Sequence, residues 1–279
     1  MSDREDLGRR AVTAALRLRG SSGRPLHAPI CPIDLALDLG IEVRFEALPS
    51  LEGLYRPDGP LVVLGTLRPR GRRAFTCAHE LGHHVFGHGL SIDELHEEPV
   101  TRDGNELLAD RFAAALLMPK LAVLNAFSAR NWDVESCSEE QAFVIAGFLG
   151  VGYATLVGYL QGTLHMLDES HASALRRVAP KVIRSRVLGW EPEAGLVVVD
   201  ELWVGRPVDV GVGDVLLAPL GTIAEGDALE RMDGRLLRAR APGVGQLRAG
   251  SWTVEVRSMR ADFTGLAEYR HLEASDDDV

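Results

Sequence analysis

His79 and His83 are four residues apart in the segment His79-Glu80-Leu81-Gly82-His83. Residues at positions i and i+4 lie on one face of an α-helix, so the two imidazoles can bind the same metal ion. Glu80 is next to the first histidine and can accept a proton from a metal-bound water as it attacks a carbonyl carbon. The segment therefore predicts metal-assisted hydrolysis.

A catalytic zinc ion needs a third protein ligand and one open coordination position. On a helix, His84 is turned about 100° away from His83. His88 follows His79 by nine residues, whereas the HExxHxxGxxH pattern of metzincins requires ten. We therefore expect His84 and His88 to be exposed or to shield the mouth of the site.

Glu106 is the better candidate for the third ligand. It begins the next predicted helix, 23 residues after His83, and Asp110 follows on the same face at i+4. Glu106 can bind the metal while Asp110 accepts a hydrogen bond from the far nitrogen of a ligating histidine. A carboxylate at a helix N-terminus is also favoured by the helix dipole. The residues alone leave both interpretations of Glu106 open.

Hydrophobic periodicity predicts the elements that must position these residues. Small residues such as Ala109 and Ala113 let the helix of Glu106 approach the metal helix closely. The predicted elements are helices over 5–19, 28–39, 73–86 and 106–118, a strand over 41–48, a strand-turn-strand unit over 53–65, and helical structure over 120–165.

The composition changes after residue 165. Residues 166–182 are a polar connector, residues 183–270 contain short β-type runs separated by Gly and Asp, and residues 271–279 form an acidic tail. We expect residues 183–270 to be a separate, mainly β accessory or regulatory domain without chemistry of its own. Its three tryptophans are expected in the core, namely Trp190, Trp203 and Trp252.

Composition excludes several classes of protein. The 279 residues are 46% hydrophobic and 25% charged, which is ordinary for a globular chain. Three distant cysteines without a CxxC motif favour a reducing cytoplasm. A charged N-terminus and the lack of an 18-residue apolar run argue against secretion and a membrane span. The formal net charge is −10, so direct nucleic-acid binding is not expected. The local arginines of 68–73 are expected to form a solvated loop, with contact to an acidic partner as the alternative.

Two segments together resemble the ImmA/IrrE metallopeptidases. AFTCAHELGHHVFGH (74–88) is followed after a short gap by NELLADRFAAALLMP (105–119), and the similarity extends over about residues 5–165. This resemblance implies an α+β fold, with a mainly helical zincin-like peptidase domain that contains a small antiparallel sheet. The domain would cover residues 1–165 and include a helix-turn-helix-like segment at about 120–165.

The resemblance also implies roles for individual residues. His79, His83 and Glu106 would bind zinc, Glu80 would be the general base, and Asp110 would hydrogen-bond to a metal ligand. A His₂Glu site accepts several divalent ions, so Mn²⁺ is an alternative to Zn²⁺. The implied substrate is a regulatory protein, a helix-turn-helix repressor, which connects the chain to transcription regulation and stress response.

Two other functions are compatible with these residues. In the first, a catalytically silent, metal-stabilised protein would sequester a transcription factor. In the second, the chain would be a DNA-binding regulator with a structural metal. The absence of Lys and Arg from residues 151–165, where a recognition helix would lie, argues against the DNA-binding protein.

Overall fold

The computed structural model describes residues 3–94 and 103–272 and shows a mixed α+β protein. Helices dominate as far as residue 188, and short strands dominate thereafter. The helices are α1 (Asp3–Ser21), α2 (Pro32–Asp38), α3 (Arg70–Phe86), α4 (Gly104–Leu117), α5 (Lys120–Ser128), α6 (Glu139–Leu149), α7 (Tyr153–Gly162), α8 (Glu169–Arg176) and α9 (Pro180–Leu188). The expected mixture of helices and strands is confirmed.

The first sheet lies beside α3 and has the strand order β13-β1-β3-β2-β4. Three of its strand pairs are antiparallel, but β1 and β3 are parallel, so the sheet is mixed where a small antiparallel sheet was expected. The reason is that α2 and the loop after it bring the chain into β1, whereas the β2–β3 hairpin returns β3 in the same direction. The strands are β1 (Glu42–Glu46), β2 (Leu51–Arg56), β3 (Leu61–Gly65), β4 (Ser91–Glu94) and β13 (Gly265–Leu266).

Helices α3 and α4 pack at very short range because small residues meet between them. A Cβ atom added at Gly82 would lie 3.0 Å from Cα of Ala109 and 3.2 Å from its Cβ. Asp103 caps α4 by accepting hydrogen bonds from the backbone N–H groups of Asn105 and Glu106. This packing brings the first turn of α4 beside the second half of α3.

Helices α6 and α7 form a bent pair around Gly150, which has φ of 74° and ends α6 in the left-handed conformation. Ser138 and Gln141 form a capping box at the start of α6. Among the described residues, no single helix is long and apolar enough to cross a membrane. Helices α6 and α7 together have the length and apolar composition of a membrane span, but they are bent by 101° relative to each other.

The C-terminal region contains two further four-stranded sheets, ordered β5-β7-β10-β9 and β6-β12-β11-β8. Their strands are β5 (Leu196–Val198), β6 (Val208–Gly211), β7 (Val215–Leu217), β8 (Ile223–Glu225), β9 (Leu229–Arg231), β10 (Leu236–Ala239), β11 (Gly243–Ala249) and β12 (Trp252–Met259). Trp203 and Trp252 are buried as expected, whereas Trp190 is 41% exposed in the turn after α9. Of the predicted acidic tail, only residues 271–272 lie within the described residues.

The C-terminal region is joined to the helical region by strand pairing and by ion pairs. Strand β13 pairs with β1, with Leu266 opposite Arg44. Asp34 of α2 accepts hydrogen bonds from Arg257 of β12, at 2.8 Å, and from Arg270. One cluster of buried apolar side chains runs through both regions. The division into independent domains therefore stays a prediction.

The arginines of 68–73 do not form the solvated loop that was expected. Arg70 donates to the backbone oxygen of Asp209 and lies 3.3 Å from Asp214. Arg72 pairs with Glu52, and Arg73 is only 8% exposed. These contacts join the start of α3 to β2 and to the C-terminal region.

Candidate metal centre

Three side chains that the sequence singled out converge between α3 and α4. Nε2 of His79 lies 3.0 Å from Nε2 of His83 and 3.2 Å from Oε2 of Glu106. Oε1 of Glu106 lies 3.4 Å from Nε2 of His83. One donor atom from each of the three residues lies within 4.8 Å of the other two. This geometry allows a single metal ion to contact two imidazoles and one carboxylate.

Each histidine has a partner at its outer ring nitrogen. Nδ1 of His79 lies 3.0 Å from Oδ1 of Asp110, to which it can donate. Nδ1 of His83 lies 2.9 Å from Nδ1 of His88. Both contacts leave Nε2 free to face the metal position, and partners of this kind fix the ring orientation. His88, which was expected to be exposed or at the mouth of the site, is half-buried and positions His83.

The two imidazoles differ in their protonation. Burial, together with the adjacent His79, lowers the pKa of His83 to about 4. Burial also disfavours the charged form of His79, but the hydrogen bond with Glu106 and the nearby carboxylates outweigh it and raise its pKa. Two imidazoles in contact cannot both carry a proton at Nε2 without repulsion, so the pair is suited to a cation held between them.

Glu80 is completely buried, and neither carboxylate oxygen has a hydrogen-bond partner among the described residues. Burial raises the pKa of its carboxyl group well above the ordinary value; His79 opposes this shift, and Asp93 and Glu106 add to it. The carboxylate lies against Gly53 of β2, where an added Cβ would collide with it. An unpartnered buried carboxylate beside the cluster can accept a proton from a water molecule in the site.

Strand β4 brings two polar side chains to the cluster that sequence analysis missed. Oδ2 of Asp93 lies 3.3 Å from Nε2 of His79, and Oγ of Ser91 lies 3.4 Å from Nε2 of His83. Asp93 is opposite Gly53 in the antiparallel pairing of β4 with β2. The alternation Ser91-Ile92-Asp93 is typical of a strand with two polar residues on one face. It was too short to predict a strand, because four mostly polar residues show no clear apolar pattern.

The remaining residues near the motif have structural partners. His84 points away from the cluster, and its Nδ1 lies 2.9 Å from the hydroxyl of Tyr55. Tyr55 itself is buried. Cys77 is fully buried and packs in the core.

The donor set fits a catalytic divalent metal. Two histidines and one glutamate are a known ligand set of catalytic zinc, and such a set also accepts other divalent ions. The three-residue group does not include Asp93, whose Oδ2 lies 3.3 Å from Nε2 of His79. The described residues therefore offer three protein ligands whose donor atoms can contact one ion.

Comparison with known proteins identifies the region that carries this site. The family model Peptidase_M78, described as IrrE N-terminal-like domain, matches residues 36–157. A search of curated proteins finds no match. One solved structure, a Mycobacterium tuberculosis transcriptional regulator, aligns at 18% sequence identity with a TM-score of 0.37. The alignment covers 58% of this chain and 52% of the regulator, so the chain spans about half the length of that protein.

Proposed function

We propose that this chain, which belongs to the Peptidase_M78 family through its IrrE N-terminal-like domain, is a zinc-dependent endopeptidase that cleaves a regulatory protein. The observation that carries the proposal is the buried, unpartnered carboxylate of Glu80 beside the cluster of His79, His83 and Glu106. In the proposal these three residues are the metal ligands, Asp110 orients His79, and the peptidase region is zincin-like.

In the proposal, the metal ligands and Glu80 would have separate roles in peptide hydrolysis. A bound divalent metal would supply a Lewis acid for the scissile carbonyl and for the attacking water. Glu80 accepts the proton of that water and delivers it to the leaving amine, so that the proton ends on the product. Burial and the raised pKa of Glu80 make its carboxylate a stronger base than an exposed one.

The substrate of this proposal is a helix-turn-helix repressor, in line with the resemblance to the ImmA/IrrE metallopeptidases. The acidic chain would act on that protein and would not contact DNA itself. Its location would be the cytoplasm, which the three free cysteines favour.

Replacing Glu80 by Gln tests the proposal. Metal-loaded wild-type protein should cleave members of a peptide library read by mass spectrometry. Glu80→Gln should lower the rate on the best peptide by ~10²–10⁴-fold and keep about one metal ion per chain, because Glu80 is not a ligand. The matched control is Glu42→Gln, at an exposed position of β1, which should cleave normally. Cleavage by Glu80→Gln at the wild-type rate would refute the mechanism.

Asp93 favours a second candidate function, the catalytically silent protein that sequesters a transcription factor. Its carboxylate approaches His79 closely enough to become a fourth ligand after a small movement, and a closed four-ligand site is typical of structural zinc. Asp93→Asn distinguishes the two functions. The peptidase should keep its metal and its cleavage activity, whereas a closed structural site should lose metal affinity, and its wild type should cleave no library peptide.

A further inference from the structure

A cavity whose lining includes none of His79, His83 and Glu106 lies where the start of α3 meets the C-terminal sheets. It has a volume of about 180 Å³. We call it the junction cavity. Its apolar wall comes from both regions of the chain, with Ile30, Ile33 and Phe45 on one side and Trp203, Val210 and Met259 on the other. The cavity is therefore formed only when the two regions are in contact.

Two arginines with few hydrogen bonds line the junction cavity: Arg73, which is buried, and Arg206, which is half-buried. Arg73 is 8% exposed, and its guanidinium makes only a long hydrogen bond of 3.4 Å to the backbone oxygen of Thr66. Nη1 of Arg206 is buried and has no hydrogen-bond partner. Neither side chain forms an ion pair among the described residues. Neither guanidinium has a described carboxylate within ion-pair distance, so an anion in the junction cavity would stabilise both.

The environment of Arg206 fixes the plane of its guanidinium without satisfying its donors. The group stacks on the rings of Trp203 and Phe148, with its central carbon 4.0 Å and 4.6 Å from the two ring centroids. Aromatic faces attract a cation but accept no strong hydrogen bond. Burial lowers the pKa of Arg206 to about 9 and that of Arg73 to about 10. Both guanidiniums still carry their charge at neutral pH.

The other charged groups that line the junction cavity are already paired. Arg70 pairs with Asp214, and Arg270 pairs with Asp34. Asp209 pairs with Arg257 at 2.8 Å. His271 is neutral, because burial lowers its pKa to about 4. Asp209 and Asp214 act on Arg73, and Asp209 and Asp200 act on Arg206, only from a distance. Each of these carboxylates has another arginine as its ion-pair partner.

The first turn of α3 adds to this positive character. Arg70, Gly71, Arg73 and Ala74 line the junction cavity and belong to that turn or the next. Free backbone N–H groups and the helix dipole favour an anion at a helix N-terminus. Three features therefore coincide: an apolar wall, two guanidiniums without an ion-pair partner among the described residues, and a helix start.

From this combination we propose that the junction cavity binds a small monocarboxylate with an apolar body about the size of one benzene ring. A cavity of ~150 Å³ lined by apolar side chains is known to hold benzene, and the junction cavity is slightly larger. The apolar wall would cover the body of the ligand, and Arg206 would pair with its carboxylate. This site is independent of the peptidase activity proposed above.

Benzoate is the probe, and the full-length, metal-loaded protein is the sample. Isothermal titration calorimetry in a buffer without carboxylates should show saturable binding at about one site per chain. Benzamide has the same shape without the charge and should bind roughly 10- to 150-fold more weakly. Inorganic phosphate should not compete, because it lacks an apolar body. Absence of saturable benzoate binding, equal binding of benzamide, or competition by phosphate would each overturn the proposal.

Arg206→Leu tests the assigned residue. It should weaken benzoate binding by roughly 10- to 150-fold. Without benzoate it should melt no lower than the wild type, because leucine keeps an apolar contact with Trp203 and Phe148 and removes a guanidinium whose Nη1 is buried without a partner. The matched control is Arg231→Leu at an exposed position of β9, which should bind benzoate normally. If the leucine variant does not fold, Arg206→Lys, which keeps the charge without the planar fork, should fold and bind benzoate less tightly. Unchanged binding in both Arg206 variants would refute the assignment.

Discussion

Gly53 is the position at which the smallest change should separate catalysis from metal binding. It lies on β2, directly against Glu80, and its backbone does not require glycine. A Cβ added there would lie less than 3.0 Å from both Oε1 of Glu80 and Cγ2 of Thr76, which is closer than Cβ atoms come to other heavy atoms. Gly53→Ala therefore perturbs the proposed general base without touching a proposed metal ligand.

The size of the effect follows from this geometry. To restore ordinary van der Waals contact, the Glu80 carboxylate must retreat by about 1 Å, and a misplacement of that size can cost ~10²-fold in rate. Overpacking at a buried site should cost about 1–3 kcal/mol in the free energy of unfolding. Metal content should remain at about one ion per chain.

The assay compares the cleavage rate of the best library peptide, the metal content and the melting temperature for each variant. Gly158→Ala is the matched control, because no heavy atom lies within 4 Å of the added Cβ in α7. It should cleave normally and be more stable by about 0.5–1 kcal/mol. A Gly53→Ala protein that cleaves at the wild-type rate would show that Glu80 is not the base. Loss of metal in the same variant would show that β2 supports the ligands directly.

Three further predictions concern the supports of the site. Asp110→Asn should weaken metal binding by ~10- to 100-fold in a competition with a chelator, because it removes the carboxylate that orients His79; unchanged affinity would contradict this role. Asp34→Asn should lower the free energy of unfolding by roughly 1.5–3 kcal/mol at neutral pH. Burial opposes ionisation of Asp34, but its two arginine partners hold its pKa below the ordinary value, so the difference from wild type should shrink as the pH falls below ~4; a pH-independent difference would refute the ion-pair explanation. A fragment that ends at residue 170 should melt well below the full chain, because it lacks β13 and the arginine partners of Asp34, and equal melting temperatures would instead support independent domains.

Local sequence patterns were sufficient for the helices that carry the candidate site. The i, i+4 spacing of His79 and His83 depends only on helix geometry, and the structure places both side chains on one face of α3. The contact with Glu106 could be expected because small residues such as Gly82 and Ala109 allow close helix packing. The spacing did not establish Glu106 as a ligand, since a capped helix start carries carboxylates for other reasons.

The features that sequence analysis missed all depend on contacts between distant segments. Asp93 reaches His79 because β4 pairs with β2, and no local pattern specifies that pairing. Arg70 looked like a loop residue because its partners, Asp209 and Asp214, lie far along the chain. Trp190 was expected in the core on hydrophobicity alone, yet it follows Gly189, whose φ of 79° ends α9 and leaves the turn in solvent.

Because β13 pairs with β1, the first sheet can be completed only after the C-terminal region has been synthesised. Arg270 contacts Asp34, 236 residues earlier in the chain. At a translation rate of ~5–20 residues per second, about 10–50 s separate the synthesis of these two partners. Throughout that interval β1 presents an unpaired edge, and such edges can pair with other chains. The nascent protein is therefore most prone to aggregation after β1 and α3 have formed and before β13 has been synthesised.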